Sequence, residues 1–148
     1  PPVLVLTGGT GCGKSHLLEA IGRSVLWHGG FARYEFVPDL LSRFKATYDK
    51  TSKLSEDELT AIYEGVPVLL LDDLGAEKAT EWAMEKLTAL VDHRYREGKR
   101  LAIATNKEHQ DFVAQGNKRL ASRLFDIATG TVHVVGITAS DYRLKTGP

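Results

Sequence analysis

The sequence predicts an α/β fold in which helices cover both faces of a five-stranded, mainly parallel sheet. Short apolar runs typical of strands alternate along the chain with segments whose apolar residues recur at helical spacing. This alternation implies right-handed crossovers between parallel strands. The run 66–71 is continuously apolar, as expected for a central strand that is buried on both faces.

The predicted strands are short apolar runs at 3–6, 31–37, 66–71, 101–104 and 131–135. The first predicted helix begins near Gly13, and the others cover 40–48, 56–63, 80–96, 107–114 and 117–127. We expect Asp39 to cap the second helix. The apolar stripe of that helix contains Leu40, Leu41, Phe44 and Tyr48. Ser55 and Glu58 fit the capping-box pattern at the start of the third helix.

The composition excludes several classes of protein. The chain has 148 residues, 43% apolar and 26% charged, which is typical of one globular domain rather than a disordered segment. A formal net charge of zero argues against a strongly basic nucleic-acid module but leaves a local basic patch open. Cys12 is the only cysteine, so we expect no intrachain disulfide and a reducing compartment, the cytoplasm. No apolar run approaches the ~20 residues of a membrane helix, and we expect no membrane partner.

The loop after the first strand predicts a phosphate-binding site. It matches the pattern G-x-x-x-x-G-K-[ST] at every constrained position. Glycines let successive N–H groups point at an anion, and the positive end of the following helix adds to the attraction. We expect Lys14 to reach the β- and γ-phosphates and Ser15 to ligate Mg²⁺, whereas an ordinary glycine-rich turn is the alternative. The expected nucleotide-binding residues are Gly8, Gly9, Thr10, Gly11, Cys12, Gly13, Lys14, Ser15 and His16.

Polar residues at the ends of two later strands are expected at the same edge of the sheet. Asp72 and Asp73 follow the buried run 66–71, and Asn106 follows the run 101–104. Ligands bind at the carboxyl ends of parallel strands. Asp72 would hold Mg²⁺ directly or through water, and Asp73 would orient and deprotonate the attacking water. Asn106 would hold that water or sense the γ-phosphate; taken alone, each of these residues is equally typical of a solvated turn.

Two arginines point to a contact between subunits. Arg119 and Arg123 are four residues apart, which places both on one helix face. A guanidinium that reaches the γ-phosphate of a neighbouring subunit would be an arginine finger, and a solvated basic face is the alternative. Arg143, in the C-terminal tail, is a candidate for a second sensing role.

Four segments resemble motifs of the AAA+ clade of replication initiators and helicase loaders. Residues 11–22 resemble its nucleotide loop, and residues 70–77 are similar to the corresponding segment of DnaI-type loaders, the relatives of DnaC. Residues 104–106 fall where that family has its first sensor. Residues 119–124 resemble the box that carries the arginine finger in DnaA and DnaC relatives, which points to Arg123 with Arg119 beside it. IstB transposition ATPases share these motifs.

The resemblance implies a P-loop NTPase of the AAA+ ASCE type, with three α/β/α layers, that binds ATP or ADP with Mg²⁺. It implies a bacterial or phage protein that loads a replicative helicase onto single-stranded DNA. It also implies self-association, with the finger of one subunit completing the site of the next. Asp73 stands where most AAA+ enzymes have Glu, which suggests weak or regulated hydrolysis. The usual helical lid has no room after the fifth strand, so we expect no separate lid domain.

We expect residues 1–148 to form one ATPase domain of a longer chain, because the first strand begins almost at residue 1 and no initiator Met precedes it. The helicase would then bind through a missing N-terminal domain. In this clade an extra helical element after the second strand contacts single-stranded DNA. The corresponding candidates here are Arg43, Lys45, Lys50 and Lys53. Ordinary surface lysines, and core packing of Phe44 and Tyr48, are the alternative interpretation.

Two other functions remain open at this stage. In the first, ATP fixes a conformation for a partner such as a transposase, and turnover is incidental. The short side chain of Asp73 favours this nucleotide-gated module slightly. In the second, the domain is a metabolic P-loop kinase. The absence of an evident acceptor-substrate lid disfavours the kinase, and the arginine pair suits an oligomer.

Overall fold

The computed structural model describes residues 1–76, 78 and 80–144, without the side chain of Tyr142. Glu77 and the last four residues of the predicted tail lie outside this part of the chain. The strands are β1 (Val3–Gly8), β2 (Ala32–Phe36), β3 (Val68–Leu74), β4 (Arg100–Thr105) and β5 (Val132–Ile137). The α-helices are α1 (Lys14–Trp27), α2 (Val37–Ala46), α3 (Glu56–Gly65), α4 (Glu81–Arg96), α5 (His109–Ala114) and α6 (Lys118–Phe125). A 3-10 helix covers Tyr142–Leu144.

The strands form one parallel sheet in the order β2-β3-β4-β1-β5, which confirms the predicted architecture. Helix α1 covers one face of the sheet, where Leu18 packs against Val68 and Leu70. Helices α2 to α6 cover the other face, against Leu69 and Leu71. Strand β3 is therefore buried on both sides, as its apolar run predicts. No helix within the described residues is long and apolar enough to cross a bilayer.

Strand β3 continues beyond its predicted end. It runs through both acids to Leu74, because Leu74 pairs with Thr105 of β4 after a bulge that begins at Leu71. A bulge places an extra residue in one strand and re-aims its side chain. Asp72 and Asp73 therefore belong to the strand and not to a turn that follows it.

Helix α2 begins earlier than predicted. Pro38 lies in its first turn, where its missing N–H removes no hydrogen bond. Asp39 is therefore inside the first turn, and its predicted capping role is wrong. The predicted burial of Leu40, Leu41 and Phe44 is confirmed. Tyr48 follows the end of α2 and is 56% exposed, so its predicted place on the buried stripe is wrong.

The capping box of α3 is confirmed. The backbone N–H of Glu58 donates to the Ser55 hydroxyl at 3.2 Å, and the backbone N–H of Ser55 donates to the Glu58 carboxylate at 2.8 Å. Each side chain thus satisfies one N–H group that the first turn of a helix leaves without a partner. These reciprocal bonds start α3 at Glu56.

Arg94 ties the far end of α3 to the sheet from a completely buried position on α4. Its guanidinium donates to five main-chain carbonyl oxygens, those of Tyr63, Glu64, Val66, Pro67 and Arg100. Burial lowers the pKa of Arg94 to about 10, which leaves the group charged at neutral pH. The carbonyls at the end of α3 and at the starts of β3 and β4 thereby find a donor that the helix and sheet do not supply.

We expect Arg94→Met to lower the free energy of unfolding by about 3 kcal/mol or more, because it leaves several buried acceptors without a donor. Urea denaturation checks this value. Arg23→Met is the matched control, since Arg23 is an exposed arginine of α1 with one ion pair to Glu19. Its effect should stay below about 0.5 kcal/mol. Equal losses in the two variants would contradict the role assigned to Arg94.

Candidate nucleotide-binding site

The predicted loop, acids and amide meet in one cavity of about 910 Å³ at the carboxyl edge of the sheet. Strand order explains the meeting, because β4 lies between β1 and β3 and all three end at this edge. The predicted residues that line the cavity are Thr10, Gly11, Cys12, Gly13, Lys14, Ser15, His16, Asp72, Asp73, Asn106 and Arg143. Phe36, Ala139 and Ser140 line it as well and were not predicted.

The loop needs glycine at two positions for different reasons. Gly13 precedes α1 with a φ of 98°, in the left-handed region that side chains disfavour. Gly13 has no side chain to cap α1, so the first N–H groups of α1 have no side-chain cap. Gly11 has a φ of 73°, and a Cβ there would collide with the carboxylate of Asp141. The left-handed backbone at Gly13 and the close contact at Gly11 both exclude a larger side chain.

Lys14 is buried within the loop that it follows. Its ammonium donates to the carbonyl oxygen of Gly8 at 2.9 Å and to that of Gly9 at 2.6 Å. It also lies 3.6 Å from the Sγ atom of Cys12, whose thiol is buried. Gly8 and Gly9 thus reach the site through their main-chain oxygens, and Cys12 packs as a small side chain. The ammonium of Lys14 thus lies within the loop and also lines the cavity.

Ser15 and Asp72 meet although they are 57 residues apart in the chain. The Ser15 hydroxyl donates to the Asp72 Oδ1 atom at 3.0 Å. Asp72 is buried, and its Oδ2 atom accepts a hydrogen bond from the hydroxyl of Tyr34. A hydroxyl and a carboxylate so arranged are hard oxygen donors of the kind that Mg²⁺ prefers.

Tyr34 is a site residue that the sequence did not reveal. It lies on edge strand β2, two residues before Phe36, whose Cα pairs with that of Asp72. Tyr34 as a whole is exposed, but desolvation of its hydroxyl and the hydrogen bond to Asp72 raise the pKa of Tyr34 well above its ordinary value. The phenol is therefore a donor throughout the physiological pH range. Only the pairing of β2 with β3 identifies it, since nothing in the local sequence does.

Asp73 has a backbone conformation unusual for a residue other than glycine. Its φ is 58°, in the left-handed region, at the bulge of β3. Aspartate tolerates this region better than most residues, and such outliers gather at functional sites. The half-buried side chain of Asp73 lines the cavity beside Asp72.

Thr105 fixes the position of Asn106 relative to the acids. The buried Thr105 hydroxyl donates to the Leu74 carbonyl oxygen at 2.6 Å and accepts from the Lys107 backbone N–H at 3.0 Å. These bonds join the end of β3 to the end of β4. The exposed Asn106 side chain consequently stands at the cavity next to Asp73.

The tail after β5 also reaches the loop. Ile137 at the end of β5 pairs with Gly8 at the end of β1, so the chain leaves the sheet beside the phosphate-binding loop. Asp141 then lies against Gly11, and the Asp141 carboxylate accepts a hydrogen bond from the backbone N–H of Arg143 at 2.9 Å. This contact accounts for Arg143 at the cavity, in a stretch without sequence periodicity.

Arg119 and Arg123 do not line this cavity. Both side chains project from α6 onto Asp92 of α4, each with a nitrogen 2.7 Å from a carboxylate oxygen. Burial alone would raise the pKa of Asp92, but the hydrogen bonds from Arg123 and Arg119 outweigh it and hold the pKa below its ordinary value. Arg119 and Arg123 therefore lie on one face of α6, as predicted, and this face is on a different surface from the phosphate-binding loop.

The candidate DNA contacts differ in their surroundings. Arg43 lies 3.5 Å from the Glu35 carboxylate, whereas Lys50 and Lys53 are exposed in the segment after α2. The Lys45 ammonium lies 5.3 Å from the centre of the Trp82 ring. The Trp82 indole N–H donates to the exposed Tyr48 hydroxyl at 2.9 Å, and the two rings meet edge to face. The sequence did not single out Trp82, because it lies 34 residues from Tyr48.

The chain matches the family model of the IstB-like ATP binding protein over residues 2–147. The replicative helicase loader DnaC of Buchnera aphidicola subsp. Acyrthosiphon pisum (strain APS) is 27% identical over 120 residues, which cover 81% of this chain and 49% of that one. This chain thus spans about half the length of the curated relatives it matches.

Two solved structures show the same fold. One is a crystal structure of the DnaC helicase loader, with a TM-score of 0.77 and 23% identity, covering 92% of this chain and 78% of that one. The other is the replication initiator DnaA bound to AMPPCP and single-stranded DNA, with a TM-score of 0.76 and 24% identity, covering 93% of this chain and 40% of that one. The chain therefore has the fold of these DnaC and DnaA structures. Since the family model spans residues 2–147, the chain belongs to the family of IstB-like ATP-binding proteins.

Proposed function

We propose that this domain binds ATP with Mg²⁺ and hydrolyses it, as the ATPase core of a bacterial or phage loader of a replicative helicase. One observation carries the proposal: the Ser15 hydroxyl and the Asp72 carboxylate are 3.0 Å apart in a cavity that Lys14 also lines. The loop amides, one cation and a Mg²⁺-binding pair are the parts that a triphosphate requires. A helicase loader is favoured because DnaC loaders are among the relatives.

The residues present fit a nucleotide with Mg²⁺. Ser15 and Asp72 would hold the metal, with phosphate oxygens and waters as its other ligands. When bound, Mg²⁺ neutralises the charge that develops on the phosphate oxygens. Lys14 would exchange the carbonyl oxygens of Gly8 and Gly9 for phosphate oxygens, so its buried ammonium keeps anionic or polar partners throughout.

The remaining side chains of the cavity would act on water. Asp73 would accept a proton from the attacking water, and Asn106 would hold that water in line with the phosphate. The side chain of Asp73 is one methylene shorter than that of glutamate, and the backbone of Asp73 lies in the left-handed region. Both features limit how the carboxylate can approach the water, and they support slow or regulated turnover.

We propose further that subunits associate so that Arg123 of one subunit completes the site of another. The position of Arg119 and Arg123 outside their own cavity supports an action on a second subunit. The helicase would bind through a domain that precedes these residues.

The surface formed by Lys45, Tyr48 and Trp82 supports contact with single-stranded DNA. Two aromatic rings and a cation lie together there, with Lys50 and Lys53 exposed nearby in sequence. Tyr48 is exposed, and Trp82 is half-buried against the core with part of its ring accessible. Bases stack on accessible aromatic faces, and ammonium groups neutralise the phosphate backbone. A relative in fold, DnaA, is described as bound to single-stranded DNA.

The second candidate function is a nucleotide-gated module in an IstB-like transposition ATPase. The family match favours it, and so does the constrained Asp73. ATP would then fix a conformation that the partner recognises. Turnover would be incidental to that recognition.

Lys14→Ala and Asp73→Asn separate the two candidates. We expect Lys14→Ala to abolish binding of a fluorescent ATP analogue, because it removes the cation of the loop. Asp73→Asn should retain binding and lose hydrolysis by about 10²-fold or more, the usual contribution of a general base. Phosphate release measures turnover, and helicase transfer to single-stranded DNA measures function. Partner function that survives Asp73→Asn while hydrolysis is lost would show that bound ATP suffices and that turnover is incidental, as the nucleotide-gated module requires.

Tyr34→Phe tests the hydroxyl that contacts Asp72. Its loss should raise the Mg²⁺ concentration for half-maximal hydrolysis by about five- to tenfold, since one hydrogen bond no longer orients the carboxylate. Affinity for the ATP analogue in EDTA should not change. Tyr63→Phe, which removes the hydroxyl of a fully buried tyrosine of α3 that does not line the nucleotide cavity, is the matched control. Unchanged Mg²⁺ dependence in Tyr34→Phe would contradict this role.

Trp82→Ala and Lys45→Ala test the DNA surface. We expect Trp82→Ala to weaken binding of an oligothymidine by about 1–3 kcal/mol through lost stacking. Lys45→Ala should make the plot of log affinity against log salt less steep, by the amount that corresponds to the loss of about one phosphate contact. Trp27→Ala, at an 88% exposed tryptophan of α1, is the matched control and should not alter binding. Fluorescence anisotropy measures all three, and equal losses in both tryptophan variants would refute the assignment.

A further inference from the structure

We propose that Asp92 and Tyr95 of α4 are positioning residues that hold the guanidinium of Arg123 ready for the terminal phosphate of a nucleotide bound to a second copy of this chain. The inference rests on the self-association proposed above and adds the residues that make the arginine effective.

Asp92 is a nearly buried carboxylate that serves three arginines. Its side chain is 3% exposed. The Oδ1 atom accepts from Arg123 Nε at 2.7 Å, and the Oδ2 atom accepts from Arg119 Nη2 at 2.7 Å. Arg96 Nε lies 3.0 Å from the same Oδ2 atom. One carboxylate thus lies within ion-pair distance of three guanidinium groups and orders them at this surface.

Tyr95 supports the flat face of Arg123. The guanidinium carbon lies 4.6 Å from the centre of the Tyr95 ring, a cation–π contact. The ring is itself held, because the Tyr95 hydroxyl donates to the Asp126 carboxylate at 2.9 Å just after α6. Asp92 therefore fixes one edge of the Arg123 guanidinium, and Tyr95 fixes its plane.

This arrangement leaves the terminal nitrogens of Arg123 for another partner. Only Nε bonds to Asp92, and neither Nη atom has a hydrogen bond to any residue in the part of the chain that the structure describes. Arg119 instead uses a terminal nitrogen for Asp92, and its side chain is 66% exposed against 29% for Arg123. The fork of Arg123, meaning its two terminal guanidinium nitrogens, is thus held in place through Nε and can still bind another partner. One terminal nitrogen of Arg119 is already bonded to Asp92.

A fixed fork matches the chemistry of a phosphate. Two parallel N–H groups bind two phosphate oxygens in a bidentate pair, and a guanidinium that is already ordered loses less conformational entropy when it binds. The nucleotide cavity of the same subunit does not include Arg123, so we assign the phosphate to a nucleotide of another copy, in line with the self-association proposed above. Asp92 and Tyr95 touch no phosphate in this proposal and act through Arg123 alone.

Mixed assemblies of the full-length protein on single-stranded DNA test the proposal. One variant, Asp73→Asn, binds ATP without hydrolysing it and donates an intact Arg123. The other variant, Arg123→Ala, offers an intact cavity without a finger. Each variant alone should be inactive, and their mixture should regain hydrolysis at the interfaces that combine the two intact parts. Failure of the mixture to regain activity would overturn both the proposed self-association and the present inference.

Asp92→Asn is then added to one variant at a time. The donor is the Asp73→Asn variant, which supplies Arg123, and the acceptor is the Arg123→Ala variant, which supplies the cavity. In the donor it should lower kcat of the mixture by about tenfold or more, the effect of a misplaced group, with KM for ATP unchanged. In the acceptor it should change kcat less than twofold. Equal loss in both positions, no loss in the donor, or a gain in the donor would overturn the inference and leave the self-association standing.

Tyr95 supplies an independent pair of variants. In the donor, Tyr95→Leu removes the aromatic face and should lower kcat severalfold, whereas Tyr95→Phe keeps the face and should retain most of the activity. Sedimentation velocity establishes that each variant assembles on the DNA as its parent does. If Asp92→Asn does not assemble, the Tyr95 pair decides the question, and equal activity of Tyr95→Leu and Tyr95→Phe would overturn the inference.

Discussion

The hydrogen bond between Ser15 and Asp72 depends on the whole sheet. These residues are 57 positions apart, and they meet because β4 lies between β1 and β3 with all three strands parallel. Parallel pairing directs every carboxyl end to one edge, where the loop, the acids and Asn106 surround a single cavity. A different strand order would leave each motif intact in the sequence and separate them in space.

Buried charge in this domain is matched in three distinct ways. Lys14 donates to loop carbonyls that a phosphate could replace, so its partners are exchangeable. Arg94 donates to five main-chain carbonyls that close helix α3 and the starts of two strands, so its partners are permanent. Asp92 pairs with arginines of two helices, so its partners are charged side chains at the surface. Burial of a charge without partners is costly, and each of these groups has partners suited to its role.

Much of the fold and of the nucleotide site follows from local patterns. Periodicity of apolar residues predicted the five strands and six α-helices, and the capping box located the start of α3. Errors arose where tertiary pairing overrides local signals. Pairing of Leu74 with Thr105 extends β3 through both acids, and Pro38 in the first turn of α2 moves the helix start ahead of Asp39. Tyr48 looked like a core residue by spacing but follows the end of its helix and faces Trp82.

The sequence by itself determined the phosphate-binding loop, the acid pair, the order of strands and helices along the chain and the arginine pair of α6, because these features lie within a few consecutive residues. Only the tertiary structure decided that Tyr34 contacts Asp72, that Asp92 and Tyr95 hold Arg123, and that Asp141 lies against Gly11. Each of these contacts joins segments that are distant in the chain. Their proximity arises from the strand order β2-β3-β4-β1-β5 and from helix packing on the sheet, neither of which a local pattern of residues encodes.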